Sequence, residues 1–114
     1  MTRVFIASPF RAVEPELLER NVKYAEQALR DSLNRGEAPI APHLLYTRVL
    51  DDTDQAERRA GMAAGKQWLF VVDVMAVYAD HGISDGMRRE IGYAERLKLH
   101  IEHRFIIPDK SKGG

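Results

Sequence analysis

One glutamate stands where the surrounding pattern predicts an apolar side chain. A helix over the segment Ile-Ser-Asp-Gly-Met-Arg-Arg-Glu-Ile-Gly-Tyr-Ala would place four residues on one face, at positions i, i+3, i+4 and i+7: Met87, Glu90, Ile91 and Ala94. A carboxylate on this inward face must be paired, protonated or placed in a cleft, because burying it unpaired is costly. Two interpretations stay open. Glu90 either pairs with an arginine such as Arg88 or Arg11, or lies in a cleft where it can attack or stabilise an electron-poor carbon.

The start of the same predicted helix offers a second candidate function. Ser84 is typical of an N-cap, and Asp85 next to it suits the positive end of the helix dipole. The same amides, the Ser84 hydroxyl and the small Gly86 could instead hold a phosphate, if the Asp85 side chain points away. Met87 follows directly, and we expect Ser84, Gly86 and Met87 to contact the substrate.

A short loop after the first apolar run carries three useful groups. Ser8, Pro9, Phe10 and Arg11 follow the run Arg3–Ala7 and are consistent with a simple turn. They also offer a hydroxyl, an aromatic face on which a base can stack, and a guanidinium for a phosphate or carboxylate.

The remaining polar residues give weaker indications. His43 is either an ordinary loop histidine or a catalytic one, and the acidic residues Asp51, Asp52 and Asp54 are typical of a solvated helix entry, though one of them could enter the cleft. The four histidines have no metal-ligand spacing, and no Walker loop, dinucleotide glycine fingerprint or nucleophile elbow is present. We expect neither a metal nor a cofactor.

Alternating strands and helices must position these groups. The pattern predicts strands over Arg3–Ala7, Ala38–Ala41, Asp73–Tyr78 and His100–Ile107, and helices over Pro15–Arg35, after Asp54, and over Ser84–Leu97. This order predicts an α/β, three-layer fold of the Rossmann-like or flavodoxin-like kind, with a parallel sheet of four or five strands flanked by helices. Its ligand would bind beyond the carboxyl ends of the strands, at the loops Ser8–Arg11, Pro42–Tyr46 and Asp80–Gly86.

The composition limits the number of domains and the kinds of partner that the protein can have. The 114 residues fit one domain, predicted over 1–107 with a flexible tail over 108–114. With 17 basic and 17 acidic residues there is no net field to attract a nucleic acid polymer or a membrane surface. No cysteine, signal peptide or membrane-length apolar run is found, so we expect a cytoplasmic protein. Small residues from Ala60 to Gly65 indicate close packing against another backbone, and we expect a homodimer or higher homo-oligomer.

Two segments carry a resemblance to a known family. The chain resembles the nucleoside 2-deoxyribosyltransferase-like superfamily, which includes 5′-monophosphate N-glycosidases and small phage or bacterial proteins of undetermined role. Val4–Phe10 is similar to that family's opening strand with its Gly/Ser-Pro-aromatic loop, and Ser84–Ala94 to the segment that carries its nucleophile. The branch of undetermined role is the more similar one, because its motifs recur here as Ala41–Leu44, Asp51-Asp52 and Gly82–Met87.

The resemblance implies a role for several residues. Glu90 falls on the nucleophile that attacks C1′ of a ribose or deoxyribose as the base departs. Ser84 and Gly86 fall on the loop that holds phosphate or sugar, and Phe10 on the base-contacting position. The implied ligand is therefore a small nucleoside or nucleotide.

One departure from the family leaves alternatives open. Active members carry a further acid in the helix before the central strand, whereas residues 62–69 contain none. Another proton source is then needed, for which Asp73, Asp52 and His43 are candidates. The alternatives to an enzyme are a nucleotide sensor or sequestering module and a structural subunit with the same fold.

Overall fold

The fold is a single parallel sheet between two layers of helices. The structure, a computed structural model, describes residues 1–108. Its strands are β1 (Arg3–Ala7), β2 (Ala38–Ile40), β3 (Val74–Tyr78) and β4 (His100–Arg104), and its helices are α1 (Pro15–Asn34), α2 (Pro42–Leu45), α3 (Gln55–Gln67) and α4 (Asp85–Arg96). All strand pairs are parallel in the order β2-β1-β3-β4. The predicted fold class is confirmed, and the sheet has four strands.

Each face of the sheet has its own hydrophobic core. One face buries Val4, Ile6 and Tyr78 against Tyr24 and Ala28 of α1. The opposite face packs on α4 and on a 3₁₀ turn that follows α3, and its buried members are Phe5, Ala7, Leu69, Met75, Val77, Met87 and Ala94. Successive side chains along a strand point to opposite faces of the sheet. The core of the second face therefore packs against α4, the helix that carries Glu90.

Most predicted boundaries are within one or two residues of those observed. The last strand is shorter than predicted and ends at Arg104 rather than Ile107. The reason is that the Asp80 carboxylate accepts the backbone N–H of Ile106 at 2.9 Å and of Ile107 at 3.0 Å, so these amides leave the ladder. The short helix α2 was not predicted, because four residues that begin with proline give no periodic signal.

The two glycines of α3 pack within the chain. A Cβ added at Gly65 would lie 3.2 Å from Pro42 Cβ, and one at Gly61 would lie 3.2 Å from Leu50 Cδ1. These glycines therefore allow α2 and the turn after it to approach α3 closely. Ala60, on the same helix, remains exposed.

Two further predictions concern a membrane span and the C-terminal tail. Within residues 1–108, no helix combines the length and apolarity that a bilayer span requires. The predicted flexible tail, residues 108–114, lies outside the described residues except for Pro108.

Candidate active site

A cleft of about 1030 Å³ opens at the carboxyl ends of β1 and β3. The chain leaves β1 towards β2 on one side and returns to β3 on the other, so this is the point where the strand order reverses, the usual ligand position in such sheets. The loops after β1 and β2 form one wall, α3 forms the outer wall and the start of α4 forms the third. Apolar side chains of Phe5, Leu69 and Met87 line its base.

Glu90 lies in this cleft without a partner. It occupies the second turn of α4, and in the described part of the chain its carboxylate makes neither a hydrogen bond nor an ion pair. Burial raises the pKa of Glu90 to about 8, and the guanidinium of Arg89 opposes this rise. The environment of the cleft therefore favours the neutral form of the carboxyl group, and a nearby positive charge would favour the ionised form.

A half-buried histidine, His43, faces the loop after β1. Ser8 Oγ and His43 Nε2 share a hydrogen bond of 2.7 Å, and the Phe10 ring stands edge-on to the imidazole with centroids 6.1 Å apart. Burial lowers the pKa of His43 to about 4, so the ring is neutral at physiological pH. Its Nδ1 is the buried side-chain nitrogen without a hydrogen-bond partner among residues 1–108.

The start of α4 has the predicted cap. Ser84 Oγ accepts the N–H of Met87 at 3.2 Å, and the backbone N–H of Ser84 donates to Met87 Sδ at 3.4 Å. The N–H groups of Asp85 and Gly86 have no partner in the part of the chain that the structure describes. Two free amides at the positive end of α4 thus border the cleft.

Charged side chains of both signs line the cleft, and its acidic residues are Asp52, Glu57, Asp85 and Glu90. Its basic residues come from the loop after β1, from α3 and from α4: Arg11, Arg58, Arg59, Lys66 and Arg89. Arg58 Nε lies 3.9 Å from Asp52 Oδ1, a partly exposed ion pair. Lys66 Nζ lies 4.0 Å from the centroid of Tyr93, one turn beyond Glu90, and so links the two helical walls.

The structure brings together most of the residues predicted from sequence. Eight of the proposed site residues line the cleft: Ser8, Phe10, Arg11, His43, Ser84, Gly86, Met87 and Glu90. The alternative ion pair between Glu90 and Arg88 or Arg11 is not formed. Pro9 is buried behind its loop and does not line the cleft.

Asp73 is a correction. It precedes β3 at the amino edge of the sheet, where its carboxylate accepts the backbone N–H of Arg3 at 2.8 Å and pairs with the Arg3 guanidinium at 3.3 Å. The five-residue strand separates it from the cleft by about 16 Å. The prediction of Asp73 as a proton source is wrong, because a residue one step before a strand begins lies at the end opposite to the ligand.

Sequence reasoning missed the outer wall. Arg59, Met62, Ala63 and Lys66 follow the spacing of one helix face and all line the cleft. That periodic stripe was a usable signal, but its small and charged members are equally typical of a solvated face. Tyr93, three residues after Glu90, carried a similar signal.

No cluster of histidine and carboxylate side chains suited to a metal ion occurs among residues 1–108. No curated protein matches the sequence. Residues 2–104 match the family described as a domain of unknown function, DUF7768. The chain belongs to the DUF7768 family.

Solved structures show the same fold as this DUF7768 member. A 2-deoxyribosyltransferase from Bacillus psychrosaccharolyticus matches 94% of this chain and 77% of its own length at 21% identity, with a TM-score of 0.65. A CMP N-glycosidase from Clostridium botulinum matches 97% of this chain and 92% of its own length at 16% identity, with a TM-score of 0.56. A 2-deoxyribosyltransferase from Leishmania mexicana has a TM-score of 0.55 at 15% identity, and the match covers 92% of this chain and 65% of that one. The predicted fold relationship is confirmed, whereas membership of a phage or bacterial branch stays a prediction.

Proposed function

We propose that the cleft binds a nucleoside or nucleoside 5′-monophosphate and cleaves or exchanges its N-glycosidic bond, with Glu90 as the nucleophile. The observation that carries this proposal is the unpaired Glu90 carboxyl group in the cleft. Glu90 is partly exposed to the cleft, so its carboxyl group can reach a ligand, and burial of the side chain raises its pKa. Solved structures of the same fold that are described as a deoxyribosyltransferase and a CMP N-glycosidase support this chemistry.

The reaction fits a carboxylate that is neutral in the empty cleft. As the bond from C1′ to the base breaks, its electron pair goes to the base nitrogen and positive charge develops on the sugar. This charge stabilises the ionised form of Glu90, whose proton is released to solvent through the open cleft. The carboxylate oxygen then bonds to C1′, and water or a second base displaces it. The environment thus disfavours the charge of Glu90 before the reaction and favours it during the reaction.

The rest of the cleft offers places for the other parts of a nucleotide. The free amides of Asp85 and Gly86, with the nearby Ser84 hydroxyl, suit a phosphate. Arg11 and Arg89 add positive charge at the cleft. Phe10 presents an aromatic ring beside His43, on the wall where a base can stack.

Base release from a panel of nucleosides and nucleoside 5′-monophosphates tests the proposal. Wild type should release free base, and Glu90→Gln should lose about 10³-fold or more of that rate, because the substitution keeps the size of the side chain and removes the nucleophile. Glu95→Gln is the matched control, since Glu95 is an exposed glutamate on the same helix. Retained release in Glu90→Gln, with both variants folded, would contradict the assignment.

A non-catalytic nucleotide-binding module is the second candidate. The observation in its favour is the segment 62–69, which carries no acid where active members of the resembled family have one. Such a module would show nucleotide-dependent thermal stabilisation without base release. Stabilisation together with turnover would support the enzyme.

We also propose that the protein is a homodimer or higher homo-oligomer. Gly65 is the buried residue of α3, whereas Ala60 and Ala64 are exposed outside the cleft and would let a second copy approach closely. Light scattering at tens of micromolar protein should give at least twice the 13.0 kDa chain mass. A monomeric mass would contradict this prediction.

A further inference from the structure

The loop between β1 and α1 presents Phe10 to the cleft, and side chains from outside the loop hold it in place. In the described part of the chain, residues 9–13 make no backbone–backbone hydrogen bond. At the start of the loop, His43 bonds to Ser8. From α1, Asn21 anchors the loop backbone, because its Nδ2 donates to the Phe10 carbonyl oxygen at 3.0 Å. The conformation of the loop at Phe10 therefore depends on a side chain of α1.

Asn21 is buried, and both ends of its amide group are paired. It is 2% exposed and lies within α1, where asparagine is a poorer helix former than alanine. Its Oδ1 accepts from the Arg20 guanidinium at 3.2 Å. Since a guanidinium can only donate and a carbonyl oxygen can only accept, these two partners fix the orientation of the amide, with Nδ2 towards Phe10. An aspartate at this position would have the same size and could not make the second bond.

The anchored residue is the one proposed to stack on the base. The Phe10 carbonyl is held by Asn21, and its ring stands edge-on to His43, so the residue is fixed at both ends. Asn21 itself does not line the cleft. We propose that Asn21 is a positioning residue for recognition of the base, and that it acts by holding the Phe10 ring where a heterocycle can stack on it. This inference rests on the proposed nucleotide binding and specifies what fixes the base subsite.

The proposed phosphate subsite is built from a different part of the fold. The free amides of Asp85 and Gly86 belong to α4, which packs on the face of the sheet opposite to α1. A change at Asn21 should therefore weaken contacts to the base and leave contacts to the phosphate intact. A residue that only supports the scaffold would weaken both.

Titration calorimetry with AMP, CMP and ribose 5-phosphate tests the inference, in a Glu90→Gln background so that no nucleotide is cleaved. Asn21→Asp keeps the acceptor for Arg20 and removes the donor to Phe10. We expect the Kd values of AMP and CMP to rise by about 10-fold, because stacking of a base on an aromatic side chain contributes about that factor or more. Ribose 5-phosphate lacks the base, so its Kd should change by less than about twofold. Asn34→Asp, at an exposed asparagine of the same helix, is the matched control and should change none of the three.

A double variant shows whether Asn21 acts through the ring. Phe10→Leu removes the aromatic face and keeps an apolar side chain, so it should itself weaken AMP and CMP but not ribose 5-phosphate. In the Phe10→Leu background, Asn21→Asp should have no further effect on nucleotide binding, since the two changes remove the same interaction.

The contrary outcomes separate this inference from the proposed function. Unchanged nucleotide binding in Asn21→Asp, equal weakening of ribose 5-phosphate, or an undiminished effect in the Phe10→Leu background would each overturn the inference and leave nucleotide binding standing. Loss of folding in both Asn21→Asp and Asn21→Ala would make Asn21 a scaffold residue and would also overturn it. If the protein bound none of the three ligands before any change at Asn21, both the inference and the proposed function would be wrong.

Discussion

The two faces of the sheet treat their buried polar groups differently. On the α1 face the polar groups are paired: Tyr24 donates to Asp80 at 2.6 Å, Tyr78 to Asp31 at 2.7 Å, and Arg104 makes two bonds of 2.8 Å to Glu37. In the cleft, which the α4 face borders, the partly exposed Glu90 carboxylate and the buried His43 Nδ1 have no partner among residues 1–108. Pairing on one face stabilises the fold, whereas the missing partners on the other leave groups free to act on a ligand.

Breaking the paired face should have the largest effect on stability. Arg104 is 3% exposed, and its guanidinium holds the pKa of Glu37 below its usual range. Arg104→Met leaves the Glu37 charge partly buried and uncompensated, which should lower the free energy of unfolding by about 3–5 kcal/mol. Urea denaturation measures this effect.

The control for that prediction is Arg30→Met, an exposed arginine on α1, which should change stability by less than about 0.5 kcal/mol. The double variant with Glu37→Gln should recover part of the loss. An effect of Arg104→Met no larger than that of Arg30→Met would show that the two faces do not differ as described.

Removing the charge of Glu90 should stabilise the protein at high pH. Because burial raises the folded-state pKa of Glu90 to about 8, above its ordinary value, the folded protein loses stability as pH rises between these two values. Glu90→Gln has no such loss, so at pH 9 it should exceed wild type by about 2 kcal/mol, less than the full shift because the cleft is open to solvent. At pH 4 the two should be equal.

Melting temperatures from pH 4 to pH 9 check this prediction, with Glu95→Gln as the exposed control. A destabilised Glu90→Gln at pH 9 would indicate that the Glu90 carboxylate has a partner and belongs to the scaffold, like the pairs of the α1 face.

A smaller effect is expected at Ser84, which both caps α4 and lines the cleft. Ser84→Ala should weaken binding of a nucleoside 5′-monophosphate more than that of its nucleoside, by about 1–2 kcal/mol, if a charge-assisted hydrogen bond to the phosphate is lost. Asp54→Ala is the matched control, because Asp54 caps α3 and does not line the cleft. Calorimetric titration of both ligands distinguishes the cases, and equal weakening of both would show that Ser84 is a cap alone.

The same contrast explains what the sequence could predict. Strand and helix order follow from local periodicity and caps, so the fold class and the inward position of Glu90 could be predicted. The pairing of Arg104 with Glu37 joins residues 67 positions apart, and no local pattern indicates it. The prediction for Asp73 was wrong for a related reason. A carboxylate suits catalysis, but Asp73 lies at the amino end of β3, where it pairs with Arg3 and is far from the cleft.

The central claim is that the Glu90 carboxylate bonds to C1′ during turnover. The most direct test uses a 2′-fluoroarabino analogue of the nucleotide that the protein cleaves fastest, because the fluorine slows hydrolysis of the glycosyl-enzyme more than its formation. After an acid quench, mass spectrometry should find the fluorosugar phosphate on wild type, map it to Glu90 within α4, and find none on Glu90→Gln. An adduct on another residue, or steady base release from the analogue without any adduct, would contradict the account.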